Sequence, residues 1–179
     1  MNKVYTRLDL LRALPKDGTV AELGVYKGSL SRGIIDICSP KLFYMVDLWE
    51  QLNPPWPSYA EQHQNRLNVE RDFNKSGVFI VQEDTREFLE SHSDGFFDWI
   101  YLDSCHRYEH VMSEMIVAES KIKPGGYICG HDYSEKIGRG AIIRAVRDFC
   151  KVHNWHVAIV TVSDNFNSFA IQRNHEPGK

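Results

Sequence analysis

The chain has 179 residues, one domain at a prior of roughly 150 residues each, and its 42% hydrophobic and 25% charged residues exclude a disordered tail or a disulfide-stapled miniprotein. Lys and Arg total 21 against 24 Asp and Glu, and no basic block stands out. Nothing here suits a nucleic-acid phosphate track or an anionic membrane surface, so a small-molecule partner is expected.

Thr6 can cap a short amphipathic helix running to about Leu14, which Pro15 and Gly18 stop, and Thr19 to Leu23 reads as a buried strand. Ser29 to Cys38 reads as a helix and Phe43 to Val46 as a short apolar strand, and the proline-rich run from Asn53 to Pro57 must be a loop. A polar helix is expected over Tyr59 to Lys75, strands over Val78 to Val81 and Phe97 to Leu102, and a short helix between them over Thr85 to Ser91. Val111, Met115, Ala118 and Ile122 recur at helical spacing, then Pro124, Gly125 and Gly126 break the chain before a strand over Tyr127 to Gly130. Ile142, Val146 and Phe149 mark a last helix. Trp155 to Val162 and Phe166 to Gln172, joined by a turn at Asp164 and Asn165, should pair as a hairpin. Strict alternation of strand and helix before that hairpin predicts an α/β Rossmann-like three-layer sandwich, one domain over residues 1–179 with a mostly parallel sheet.

Cys38, Cys105, Cys129 and Cys150 are far apart with no C-x-x-C spacing, which points to reduced thiols and a cytoplasmic setting. Arg7, Asp9 and Arg12 interrupt the N-terminal leucines, so no signal peptide is read there, and no stretch is apolar enough for a membrane span.

In an open α/β sheet the ligand lies beyond the carboxyl ends of the strands, so the residues that end each strand carry the function. Here they are Glu22 with Gly24, Asp47, Glu83 with Asp84, Asp103, and His131 with Asp132. Any one of these acids could be an ordinary loop residue or helix cap, but five successive acidic exits are hard to explain that way. Gly24 and Gly28 put two glycines between a strand and a helix, where a cofactor can approach the backbone. Tyr26 stands where dinucleotide-binding turns usually carry the glycine that admits a pyrophosphate, which argues against NAD. Asp47, some twenty residues on, is placed to accept from both ribose hydroxyls of a nucleoside cofactor, whether or not that cofactor carries phosphates.

The segments E-L-G-V-Y-K-G-S, M-V-D-L-W, Q-E-D-T, Y-L-D-S-C-H-R-Y-E and G-G-Y-I-C-G-H-D-Y resemble successive motifs of class I S-adenosylmethionine-dependent methyltransferases. The pairing of D-S-C-H-x-Y-E with G-H-D-Y resembles the small metal-dependent sugar O-methyltransferases of the macrocin O-methyltransferase type. The resemblance implies seven strands in the order 3-2-1-4-5-7-6. It implies that Glu22 and Gly24 line the methionine end of S-adenosylmethionine, that Asp47 holds the ribose and that Asp84 reaches the adenine amino group, with Gly28, Ser29 and Thr85 as further cofactor contacts. It also implies a divalent cation, usually magnesium, held by Asp103, His131 and Asp132, with His106 as general base. The relatives generally carry two adjacent acids where this chain has His131 then Asp132, and magnesium prefers oxygen, so the metal is absent, weaker or softer here.

An aliphatic hydroxyl is a poor nucleophile until it loses its proton, and Asp103 with His106 offers both a cation seat and a base. Adjacent parallel strands lie about 4.8 Å apart, so Asp103 and Asp132 can share one ion if their strands are neighbours. The function expected is methyl transfer to a hydroxyl of a sugar or natural product. The alternatives are an NAD-linked oxidoreductase and a non-catalytic S-adenosylmethionine-binding module. Around the proline loop, Trp49, Trp56 and Tyr59 either stack on a ligand or cover the sheet edge, and Gly138-Arg139-Gly140 either closes over the acceptor or is a plain turn. The sequence does not show the oligomeric state.

Overall fold

A computed structural model of the chain describes residues 1–50, 57–136, 140–162 and 166–174. The proline-rich run apart from Pro57, the Gly138-Arg139 turn and the hairpin turn at Asp164 and Asn165 lie outside the described residues. In chain order the elements are β1 (Asn2–Val4), α1 (Arg7–Ala13), β2 (Thr19–Leu23), α2 (Ser29–Cys38), β3 (Leu42–Asp47), α3 (Tyr59–Asp72) and β4 (Val78–Gln82). They continue with α4 (Thr85–Glu90), β5 (Phe97–Leu102), α5 (Tyr108–Lys121), β6 (Ile122–Gly130), α6 (Ala141–His153), β7 (Trp155–Thr161) and β8 (Phe169–Arg173).

The strands form one sheet ordered β4-β3-β2-β5-β6-β8-β7-β1, parallel from β4 through β6 and antiparallel where β8 meets β6 and β7. The seven strands expected from the sequence keep their expected order. The sheet nonetheless has eight strands rather than seven, because Asn2–Val4 adds to the edge beside β7. That strand is short and mostly exposed, so no alternation of apolar and polar residues marks it. A second difference lies at Pro124, Gly125 and Gly126, which bulge within β6 instead of preceding it, with the β5–β6 register shifting between Phe97 and Trp99.

Side chains alternate across the sheet and bury two cores. Leu10, Leu30, Ile34 and Phe73 from α1, α2 and α3 pack with Val20, Phe43, Trp99 and Tyr101 on one face. Phe88, Met115, Val146 and Phe149 from α4, α5 and α6 pack with Ala21, Leu23, Ile100 and Leu102 on the other. This is the three-layer arrangement that buries a parallel sheet on both faces.

Gly24 leaves β2 with φ of +96°, and a Cβ there would stand 2.3 Å from the Asp103 carbonyl oxygen at the end of β5. Both the backbone angle and the close approach require glycine. Gly24→Ala is expected to destabilise the fold by about 2–4 kcal/mol, read as a lower urea midpoint at unchanged slope. An unchanged midpoint would show that the two strand ends are free to separate. Among the described residues, no helix is long and apolar enough to cross a membrane.

Candidate active site

The carboxyl ends of β2 to β5 open onto one cavity of about 940 Å³, within the range of small-ligand sites, and His131 and Asp132 after β6 stand behind its wall rather than lining it. Glu22, Gly24, Ser29, Asp47, Asp84, Thr85, Asp103 and His106 line it, as the sequence leads one to expect. Gly28 does not line it. It is the N-cap of α2 in the left-handed conformation, and a Cβ there would meet the Phe73 ring at 2.5 Å.

Glu22 is buried, with Ser31 Oγ donating to Oε2 at 2.5 Å. Desolvation pushes its carboxyl up to about 8, partly offset by the Ser31 hydrogen bond, and the nearby Asp103 charge adds to the rise. Asp47 organises the glycine turn. Its Oδ2 accepts from the Val25 and Tyr26 amides, both at 2.8 Å, and Oδ1 accepts from the Trp49 amide. Tyr26 is held at a positive φ of 53° by that bond and by the Trp49 indole donating to its carbonyl at 2.9 Å. Three of the four lone-pair sites on Asp47 are filled, two on Oδ2 and one on Oδ1, so the carboxylate has one site on Oδ1 left for a ribose hydroxyl rather than sites for both. Trp49 is only 1% exposed, which selects the packing reading over stacking on a ligand. Tyr59 stacks on His63 along α3.

Asp84 caps α4, its Oδ1 accepting from the Arg86 and Glu87 amides. Next to it, Thr85 Oγ1, Ser104 Oγ and His110 Nε2 all bond Oε1 of the fully buried Glu114, at 2.5, 2.7 and 3.1 Å. That hydrogen bond raises the His110 pKa above its ordinary value. His110 is therefore paired rather than a free surface side chain. Glu114 four residues along the same helix was the signal that it is paired.

At the end of the cavity lined by Asp103, β5 is adjacent and parallel to β6, which brings Asp103 together with His131 and Asp132. Asp132 is 6% exposed and sits at a φ of 55°, a left-handed conformation that Asp tolerates better than most residues. Its Oδ2 lies 2.5 Å from His106 Nδ1, and this bond is the first cause of a raised His106 pKa. His106 thus has Nδ1 fixed by a carboxylate, and its Nε2 is the nitrogen left for chemistry.

One ligand atom each from Asp103, His131 and Asp132 lie within 4.8 Å of one another, a grouping that could hold a divalent ion. A cation from the protein already stands against that grouping. Arg7 Nη2 is 2.6 Å from His131 Nε2 and 3.3 Å from Nδ1, and Nη1 is 3.7 Å from Asp103 Oδ2. A guanidinium only donates, so the nearer ring nitrogen keeps its lone pair and Nδ1 carries the proton, facing Asp132 Oδ1 at 3.3 Å. A dication about 4 Å from this fixed charge meets about 8 kcal/mol of repulsion at an effective dielectric of about 20. Two carboxylates and an imidazole whose lone-pair nitrogen is taken by a guanidinium do not fit magnesium. S-adenosylmethionine is different. Its sulfonium, ammonium, ribose hydroxyls and adenine amino group are cationic or donating, and Glu22, Asp47 and Asp84 present acceptor oxygens along the same cavity.

A cavity of this kind, at the strand ends of a sheet with a glycine turn after its first central strand, is the arrangement of a cofactor-binding α/β domain. A profile of a family described as methyltransferase domain matches residues 21–133, more than half of the chain, and the chain belongs to that family. S-adenosylmethionine is accordingly its expected cofactor. Solved structures show the same fold. The Escherichia coli protein yhhF, which carries a methyltransferase designation, has a TM-score of 0.66 at 10% identity, covering 94% of this chain and 84% of its own. A ribosomal protein L11 methylase from Lactobacillus delbrueckii subsp. bulgaricus scores 0.65 at 15% identity, covering 94% and 77%. Spermidine synthase from Thermotoga maritima scores 0.63 at 15% identity, covering 93% of this chain and 56% of its own. No curated protein matches the chain.

Proposed function

We propose that this protein transfers the methyl group of S-adenosylmethionine to a hydroxyl of a small molecule such as a sugar or natural product. The observation that carries the reading is His106 in the cavity wall, a base whose second nitrogen is held by the buried Asp132 carboxylate behind it. Bound S-adenosylmethionine supplies an electrophilic methyl carbon whose bond to sulfur breaks with its electron pair staying on sulfur. His106 Nε2 accepts the hydroxyl proton as the acceptor oxygen bonds that carbon, and Asp132 steadies the imidazolium that results. Glu22 and the Gly24 turn border the methionine end, Asp47 the ribose, and Asp84 with Thr85 the adenine. The Thr85, Ser104 and His110 side chains are held at the cavity by Glu114, which keeps this end preorganised.

Calorimetric titration of S-adenosylhomocysteine into the purified chain tests the cofactor, with NAD as the control. Saturable binding of the homocysteine product and none of NAD is expected, and the opposite pattern would sink the reading. A screen of hydroxylated acceptors with radiolabelled methyl donor then tests the oxygen.

A further inference from the structure

We propose that Arg7 is the resident cation of this active site: its guanidinium fills the seat formed by Asp103, His131 and Asp132, excludes a divalent ion and donates to the acceptor oxygen. The inference rests on the methyl-transfer reading for the acceptor and on geometry alone for the seat.

Arg7 is the first residue of α1 and is held there from three sides. Thr6 and Asp9 form the capping box that starts the helix, Leu10 and Leu11 are fully buried beneath it, and β1 is paired to β7 just before it. These contacts fix the Arg7 backbone beside the site, and the side chain itself is held by His131 and Asp103. Its Nη2 reaches His131 Nε2 at 2.6 Å, and Nη1 faces Asp103 Oδ2 at 3.7 Å. The side chain remains 29% exposed and lines the cavity beside Glu22, Asp103 and His106, so one side of the guanidinium faces a ligand.

The residue at position 131 is the complement of this arrangement. An imidazole offers a lone pair that an arginine N–H can take, whereas a third carboxylate would add the negative charge that suits a dication. Asp103 and Asp132 leave two negative charges, which Arg7 and a protonated His106 match during the reaction. As the acceptor proton passes to His106, charge grows on the acceptor oxygen. An N–H donor fixed in advance at that position stabilises it without any metal.

The test reads metal binding directly. Mn2+ is titrated into the wild-type chain, Arg7→Ala and Arg7→Lys, following free ion by electron paramagnetic resonance, with thermal melts and S-adenosylhomocysteine affinity confirming that each variant is folded. Wild type and Arg7→Lys are expected to bind no Mn2+, and Arg7→Ala to acquire a site that disappears in Arg7→Ala/Asp132→Asn. In turnover, wild type is expected to be insensitive to chelator, Arg7→Ala to lose about 10²–10³-fold in kcat in metal-free buffer, and Arg7→Lys to recover part of it. Stoichiometric Mn2+ binding by wild type would overturn the proposal, and so would a folded Arg7→Ala that binds none. Failure of wild type to bind S-adenosylhomocysteine would instead sink the methyl-transfer reading and leave the Mn2+ comparison to decide the seat.

Discussion

Replacing His106 with alanine is expected to lower methyl transfer about 10²–10⁴-fold while S-adenosylhomocysteine affinity stays within about twofold. The division follows from position. His106 stands with Asp103 at the β5 end of the cavity, with Asp132 behind it, whereas the residues assigned to the cofactor line the β2, β3 and β4 ends. Asp132→Asn gives the same dyad a different fault. An amide can still touch Nδ1 but cannot carry the charge that favours the imidazolium, so a smaller loss is expected. The two variants also differ in pH profile. The Asp132 bond raises the His106 pKa, so the wild-type rate should climb with pH through an ionisation above the ordinary imidazole value, as the neutral base forms. In Asp132→Asn that limb should move to lower pH. A full rate in His106→Ala would remove the base from the mechanism, and an unmoved limb would detach Asp132 from it.

The contrast between what could and could not be read from the sequence has a physical origin. Glu22, Asp47, Asp84, Asp103 and Asp132 were visible because a parallel sheet delivers the residue after each strand to the same edge. Their local duties were not visible. Asp47 spends Oδ2 on the amides of Val25 and Tyr26, and Asp84 spends Oδ1 on the first turn of α4. Hydrogen bonds of that kind depend on where a turn places its N–H groups, which spacing alone does not specify. The segment after β3 shows the same limit, since an aromatic residue in a loop can cover a core or face a ligand, and Trp49 turned out to be buried.

Arg7 was the larger omission. It is 124 residues from His131 and belongs to a helix that precedes the first central strand, so the rule of strand ends does not reach it. What brings it to the site is the burial of Leu10 and Leu11 under α1 together with the edge pairing of β1, and β1 is too short and exposed to announce itself. The bulge at Pro124 was misread for a related reason. Proline and glycine mark a break in isolation, but here β5 pairs on both sides of them, at Phe97 with Ile122 and at Trp99 with Tyr127.

Glu22→Gln is expected to stabilise the protein on the alkaline side and to flatten the dependence of stability on pH. The Glu22 carboxyl is pushed up to about 8 from an ordinary 4.5, so below the ordinary value both folded and unfolded chains hold the proton and nothing is lost. Between the two values the unfolded chain releases it while the folded chain keeps it, and stability falls as pH rises. Above the upper value both have released it and the loss is complete, on the order of 4–5 kcal/mol at about 1.4 kcal/mol per unit. Glutamine keeps an oxygen for Ser31 and cannot ionise, so its melting temperature should exceed that of wild type at about pH 9 and approach it at about pH 4. Parallel melting curves would refute the buried proton. The same proton couples to the cofactor. A cationic sulfonium and ammonium arriving beside Glu22 favour the carboxylate, so S-adenosylmethionine should release a proton on binding and bind more tightly as pH approaches the free-state value from below. Titration in buffers of different ionisation enthalpy measures that release. Glu22→Gln should abolish it and bind more weakly at high pH, and a release that persists in the variant would place the titrating group elsewhere in the cavity.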